Sequence, residues 1–313
     1  MQNVNATVVV LGTGGTIAGT SPPGADERNY RAAQLSVAAL LDAVPGLPAG
    51  LVCEQVAQVD SKDMSHAVWL QLAQRVAAHL ASSRVTGVVV THGTDTLEET
   101  AFFLQRVLAP AKPVVLTAAM RPATAADPDG PGNLRDAVAL AGDPTAHGVL
   151  AVMGGVVFGA RDVRKSHPTR LDAFTAGAMG PLGRMAEGRV SWSRPPPRDE
   201  ALGLAWLPAE PGDWPRVDLV MSHAGVDGAL VDALCGIGSR GIVAVGTGNG
   251  TLHEALEAAL QRAQAQGVAV RRATRCRDGA MAHRSTDPFA DVGDLTPAKA
   301  RVELMLELMR PGG

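Results

Sequence analysis

Along most of the chain, short apolar runs rich in Val and Leu alternate with stretches whose apolar positions recur at helical spacing. Residues 4–11, 51–59, 85–90, 114–117 and 148–152 are such runs and read as buried strands. Between them, residues 35–44, 66–80 and 133–141 read as helices; the second carries Val68, Leu72, Val76 and Leu80 on one face. Thr96 stands three residues before Glu99, ahead of an apolar stretch ending at Leu108. That spacing predicts a further helix opened by a capping box. Residues 17–34 hold Gly, Pro, Asp and Asn without a clean period and read as a long loop. Continuous apolar strands separated by helices predict a mostly parallel sheet covered on both faces.

The pattern breaks between residues 192 and 216. Pro195, Pro196, Pro197, Pro208, Pro211 and Pro215 fall within this stretch, among several charges, which reads as a linker. Beyond it, residues 217–221, 241–245 and 268–272 read as strands, and 226–234, 252–265 and 297–309 as helices. The last has Thr296 as N-cap and Pro297 in its first turn. The expectation is a two-domain α/β chain: a larger N-terminal domain over residues 1–191 with a mostly parallel sheet flanked by helices, a linker over 192–215, and a smaller C-terminal α/β domain over 216–313.

Composition narrows the function. Of 313 residues, 46% are hydrophobic but only 3% aromatic, so the core is built from Ala, Val and Leu. A net charge of −3 and little aromatic material argue against a nucleic-acid binder. No apolar run reaches the roughly 18 residues of a membrane span. The start has no basic and apolar leader pattern, so the cytoplasm is the expected compartment, or the periplasm if a leader was removed. Cys53, Cys235 and Cys276 fit neither a disulfide framework nor a zinc spacing.

Several familiar patterns fail on inspection. Gly12-Thr13-Gly14-Gly15-Thr16-Ile17 follows a strand, but a dinucleotide fingerprint needs glycine where Ile17 stands, and no Gly-Lys-Ser/Thr ending makes a phosphate loop. His253-Glu254 begins like a zinc-protease helix, but the partner place is Glu257. His66, His79 and His147 are isolated, and no cluster has metal-ligand spacing.

Two strand ends remain, each placing threonine among glycines: Thr13-Gly14-Gly15-Thr16 and Thr91-His92-Gly93-Thr94-Asp95. Turn duty alone explains either one. Together, with Asp95 beside Thr94, they point to chemistry. A threonine hydroxyl is a weak nucleophile and needs a base or proton relay. Only four residues of the chain are Lys, and Tyr30 is its only Tyr. Where Arg is the default cation, Lys165 departs from habit, and a desolvated Lys can shed a proton that Arg keeps.

At these residues the chain resembles the bacterial-type L-asparaginase family. The matching stretches are Thr13-Gly14-Gly15-Thr16-Ile17-Ala18-Gly19, Thr91-His92-Gly93-Thr94-Asp95-Thr96-Leu97-Glu98-Glu99-Thr100-Ala101, Ala119-Met120-Arg121-Pro122, Asp129-Gly130-Pro131-Gly132-Asn133-Leu134 and Gly246-Thr247-Gly248-Asn249-Gly250. The resemblance covers essentially the whole chain. It implies hydrolysis of the L-asparagine side-chain amide to L-aspartate and ammonia, without metal or organic cofactor. It also implies a homotetramer of two intimate dimers, with active sites between subunits.

Residue by residue, the resemblance makes Thr16 the nucleophile and Tyr30 the loop tyrosine that helps activate it. Ser61 would hold the substrate α-carboxylate, and Asp95 its ammonium. Thr94 and Lys165 would form the relay, backbone N–H groups near Thr94 and Ala119 would hold the oxyanion, and Asn249 would be lent by a neighbouring subunit. Two routes follow: double displacement through an acyl-enzyme, or direct attack by water activated at Thr94 and Lys165. Two departures stand out. Lys62 occupies a place where the family usually has Gln contacting the substrate carboxyl end. An acid lent by the neighbouring subunit would fall at Thr286, with Asp287 beside it. Rival readings are a glutaminase–asparaginase, since one methylene separates the substrates by modest factors, and a small-molecule binding protein without turnover.

Overall fold

The structure is a computed structural model that describes residues 7–22, 29–282, 285 and 287–310. The chain divides into two compact units, Met1–Leu204 and Ala205–Gly313.

In the first unit, β1 (Thr7–Gly14), β2 (Val52–Val59), β3 (Val85–Thr91), β4 (Val114–Thr117), β5 (Val149–Met153) and β6 (Val156–Gly159) are joined by β9 (Gly183–Ala186) and β10 (Arg189–Trp192) in one eight-stranded sheet. Its order is β10-β9-β6-β5-β4-β3-β1-β2. The β5-β4-β3-β1-β2 half is parallel; β6, β9 and β10 continue it with antiparallel pairings. A two-stranded hairpin, β7 (Arg164–Lys165) with β8 (Phe174–Thr175), stands apart from this sheet.

The parallel strands appear where the apolar runs predict them, and β1 continues through the glycines to Gly14. The antiparallel half carries no such signal. Its outer strands are short and only partly buried, so their apolar content is low. The local cue is the β9–β10 turn, where Glu187 and Gly188 both take positive φ, 51° and 73°. Such pairs form two-residue hairpin turns whose twist suits the flanking strands.

Helices α1 (Val37–Asp42), α2 (His66–Leu80), α3 (Leu97–Leu108) and α4 (Gly130–Ala141) cover the sheet. Leu134, Ala137, Val138 and Leu140 of α4 pack with Val8, Val10, Val89, Val115 and Leu150 from the strands. Burying one such Val or Leu side chain contributes about 1.5–3 kcal/mol, so a core poor in aromatics is still strongly held. The proline-rich stretch is fastened to this unit in part. Leu202 and Gly203 donate backbone hydrogen bonds to the Arg106 and Val107 carbonyls, and Gln105 donates to Asp199.

The second unit is a four-stranded parallel sheet, β11 (Val217–Met221), β12 (Gly241–Gly246), β13 (Ala269–Thr274) and β14 (Ala290–Asp291), in sequential order. Helices α5 (Ala229–Gly236) and α6 (Glu254–Ala265) supply Val231, Leu234, Leu256 and Leu260 to its core. Helix α7 (Pro297–Leu308) begins at Thr296, whose hydroxyl accepts from the Lys299 N–H. His253 likewise caps α6 through its ring nitrogen, which accounts for the His253-Glu254 pair without a metal.

Candidate active site

Because β2, β1, β3 and β4 are parallel neighbours, their C-terminal ends share one edge of the sheet. The segments leaving that edge are Asp60-Ser61, Gly15-Thr16, His92-Gly93-Thr94-Asp95 and Ala118-Ala119. Such edges are where open α/β sheets place ligands.

Glycine is required where two of these segments meet. A Cβ on Gly15 would stand 2.3 Å from the Gly93 nitrogen, and one on Gly93 would stand 2.4 Å from Ser61 Oγ. Gly15 also takes φ 82°, open to glycine at little cost. Backbone packs on backbone where these two glycines meet, and Thr16 and Thr94 are the residues that follow them.

Thr16 opens a single 3-10 turn, Thr16–Ala18, and is buried. Ile17 and Ala18 anchor the turn by packing with Leu40 and Ala119. The Thr16 hydroxyl lies 2.7 Å from the Tyr30 hydroxyl. Tyr30 is delivered by a return of the chain: Thr20 and Arg31 exchange backbone hydrogen bonds of 2.9 Å, and the Gln34 and Leu35 N–H groups donate to the Ala18 carbonyl. Gly19 makes room for the ring, since a Cβ there would come within 2.8 Å of it. The middle of the predicted loop, residues 23–28, lies outside the described residues.

Lys165 reaches the edge from β7. Its Nζ donates to Thr94 Oγ1 at 2.9 Å and to Asp95 Oδ1 at 2.6 Å. Its backbone N–H donates to the Glu98 carboxylate at 2.8 Å, which ties the hairpin to the start of α3. With its side chain 19% exposed, Lys165 is the most sheltered lysine of the site region; Lys62 is 60% exposed.

Ser61 is buried, and its Oγ accepts from the Asp95 N–H at 3.2 Å. Its carbonyl accepts from the Thr96 hydroxyl at 2.8 Å. That bond corrects the capping-box expectation. Thr96 does precede α3, but its side chain makes no cap bond, and its φ and ψ of −117° and 16° are not those of an extended cap residue. The hydroxyl holds the Ser61 segment instead of the helix.

Lys62 is bound to its neighbours, hydrogen-bonded to Asp63 and 3.8 Å from Asp60. The hydrogen bond to Asp63 raises its pKa above the usual lysine value. Ala119 is buried at the end of β4, on a segment pinned by Asp129, whose carboxylate accepts from the Met120 and Arg121 N–H groups, and by Asn133, which donates to the Ala118 carbonyl at 2.9 Å. Among the described residues, the backbone N–H groups of Thr94 and Ala119 meet no protein acceptor.

Asn249 belongs to the second unit. Its amide exchanges two hydrogen bonds with the Ala282 backbone, donating at 3.0 Å and accepting at 2.7 Å. Arg272, buried beneath, donates to the Asn249 carbonyl at 3.4 Å and is hydrogen-bonded to Asp287. Asp287 is therefore committed to a buried guanidinium rather than standing free as a substitute acid. Thr286 lies outside the described residues.

One buried side chain at this edge was not singled out in the sequence. His92 is fully buried; its Nδ1 lies 2.7 Å from the Gly93 carbonyl and its Nε2 lies 3.0 Å from Thr100 Oγ1, which accepts from Trp69 Nε1 at 2.9 Å. A carbonyl only accepts, so Nδ1 carries the proton and the Thr100 hydroxyl donates to Nε2. Burial lowers the His92 pKa to about 4, against a smaller opposing effect of the Gly93 bond. A histidine directly following a buried strand, between Thr91 and Gly93, was the available signal.

Fold and site together define an α/β chain with paired threonines and a lysine at one sheet edge. Residues 7–198 match the family described as asparaginase, N-terminal, and residues 216–311 match the glutaminase/asparaginase C-terminal domain. The chain belongs to the bacterial-type asparaginase family. It is 37% identical to L-asparaginase 2 of Escherichia coli (strain K12), over 96% of this chain and 88% of that protein. It is also 37% identical to the glutaminase-asparaginase of Pseudomonas fluorescens biotype A, over 97% of this chain and 87% of that protein. Among solved structures, a probable cytoplasmic L-asparaginase from Campylobacter jejuni matches with a TM-score of 0.92 and 35% identity, covering 98% of this chain and 96% of that one.

Proposed function

We propose that the protein is an L-asparagine amidohydrolase, producing L-aspartate and ammonia, with L-glutamine as a minor substrate. The observation that carries this reading is the pair of hydroxyls at one sheet edge, Thr16 against Tyr30 at 2.7 Å and Thr94 against Lys165 at 2.9 Å. Relatives named L-asparaginase and glutaminase-asparaginase at this identity support the substrate class.

In the double displacement, Thr16 Oγ attacks the side-chain amide carbon while Tyr30 helps remove its proton. The N–H groups of Thr94 and Ala119 hold the oxyanion; such preorganised donors are among the largest catalytic contributions. The C–N bond breaks, ammonia leaves with the transferred proton, and a β-aspartyl ester remains on Thr16. Water, aided by Thr94 and Lys165, attacks the ester; the ester C–O bond breaks, a proton of that water restores the Thr16 hydroxyl, and L-aspartate leaves. Asp95 binds the substrate ammonium, and Ser61 holds the α-carboxylate with Lys62 nearby. No step calls on a metal or organic cofactor. The Thr94–Lys165 hydrogen bond also suits a second route, direct attack by water without the ester.

The same reading has the protein working as a homotetramer of intimate dimers, with Asn249 acting on a neighbouring copy's substrate. Light scattering tests this assembly. No helix among the described residues is long and apolar enough to cross a membrane. We place the protein in the cytoplasm, supported by the name of the Campylobacter jejuni structure; a relative named as periplasmic in Haemophilus influenzae marks the alternative that fractionation would decide. The functional test is ammonia release from L-asparagine, L-glutamine and D-asparagine in steady state. L-Asparagine is expected to have the highest kcat/KM, and no turnover of any of the three would leave only a binding protein.

A further inference from the structure

We infer that His92 is a positioning residue for the oxyanion donor, holding the Gly93–Thr94 peptide so that the Thr94 N–H faces the substrate. The inference rests on the proposed amidohydrolase reading and adds to it a residue that touches neither substrate nor nucleophile. The peptide is trans, as are all the described peptide bonds, so its C=O and N–H point to opposite sides. The C=O of Gly93 is taken by His92 Nδ1 on the buried side. The N–H of Thr94 must therefore point away from His92, and among the described residues it finds no acceptor there. A buried-edge N–H left in this state is costly unless something else meets it. An oxyanion forming beside Thr16 is such a group, since Gly15 packs directly on Gly93.

The ring itself is held from behind. Thr100 in α3 donates to Nε2 and accepts from Trp69 in α2, whose indole stacks on Phe103 at a centroid distance of 4.9 Å. This chain fixes the tautomer that donates to Gly93. Two helices are thus connected through one imidazole to one peptide plane. The general rule is that donors must be aligned to where charge develops, and small misplacements cost rate.

Asparagine and glutamine separate the roles of the two ring nitrogens. The amide nitrogen of Asn stands where Nδ1 stands, and that of Gln where Nε2 stands. His92→Asn keeps a donor toward the Gly93 carbonyl; His92→Gln loses that donor and turns an amide N–H toward Thr100 Oγ1, reversing the direction of that bond. With L-asparagine, His92→Gln is expected to lose about 10- to 100-fold in kcat, somewhat less than deleting an oxyanion donor outright. Its KM and its affinity for L-aspartate should change little, while affinity for an aldehyde analogue that forms a tetrahedral adduct should fall with kcat. His92→Asn is expected to recover most of the loss. Equal kcat in both variants, or a change confined to KM, overturns the inference. A second measurement needs no variant: 15N NMR of the unmodified protein should show His92 protonated on Nδ1, and protonation on Nε2 overturns the inference even if both variants fail to fold. If the unmodified protein releases no ammonia from L-asparagine, the functional reading itself falls and the inference with it; if it is active and His92→Gln matches it, only the inference falls.

Discussion

The hydroxyls of Thr16 and Tyr30 stand 2.7 Å apart although 14 residues separate them in the chain. The contact is made by the loop's closed base. Thr20 pairs with Arg31, Ala33 donates to the Gly15 carbonyl, and Gln34 and Leu35 donate to that of Ala18. These bonds hold Tyr30 against Gly19. In the proposed chemistry, the phenol is the group that shares the Thr16 proton as the C–O bond forms.

Replacing Tyr30 by Phe removes that partner and little else. The ring still fits over Gly19. We expect kcat for L-asparagine to fall by about 10²- to 10³-fold, within the range of general acid–base contributions. The dissociation constant for L-aspartate should stay within a few-fold, as measured by calorimetry. Unchanged kcat would remove Tyr30 from the mechanism.

Lys165 bridges Thr94 and Asp95. Lys165→Met loses both bonds, and Lys165→Arg keeps a cation that cannot give up its proton. Both variants should lose at least about 10²-fold in kcat. Stopped-flow and steady-state ammonia release would check this. An Arg variant with near-normal kcat would show that charge alone suffices and that no proton passes through residue 165.

Lys62 stands where the family usually has Gln contacting the substrate carboxyl end. Its side chain is mostly exposed and already paired with Asp63. Exposed pairs contribute little. Lys62→Gln should therefore shift KM for L-asparagine by no more than about fivefold, an effect of the size expected for exposed charges, and leave kcat alone. A much larger rise in KM would place Lys62 on the substrate carboxylate.

His92 makes stability depend on pH. Burial holds its folded pKa at about 4, below the ordinary histidine value of 6.5, so the unfolded chain binds its proton more readily. The contribution is fully present above about pH 6.5 and is lost as pH falls toward 4, by up to roughly 3 kcal/mol. Denaturant unfolding at pH 7, 5.5 and 4 should show this loss, and His92→Asn should show correspondingly less of it. Equal pH dependence in both proteins would contradict the burial-driven shift.

The sequence made the parallel half of the large sheet and most helices legible, because buried strands and amphipathic helices leave strong periodicities. It left β6 to β10 unread, since antiparallel strands of two to four residues are too short to show a periodicity, even where, as in β6, they are buried. The site residues were legible as types in motifs, above all Thr16, Thr94, Asp95 and Lys165. Their partners were less so. Thr96 carries the letters of a capping box, yet its hydroxyl holds Ser61, because a tertiary contact outweighs a local one. Asp287 reads as a spare acid, yet buried Arg272 claims it. His92 shows a strand-end histidine in sequence, but only the fold shows that its ring turns away from the site edge and into the helices.

The central claim is that the Thr16 hydroxyl carries out the attack on the amide. Thr16→Ala removes only that hydroxyl and a methyl from a turn anchored by Ile17 and Ala18. Ammonia release from L-asparagine by this variant is the most direct measurement, with L-aspartate binding as the control for an intact site. The account predicts turnover lowered by at least about 10³-fold, beyond the loss of a single acid–base partner, with L-aspartate still bound. Turnover close to that of the unmodified protein would contradict it.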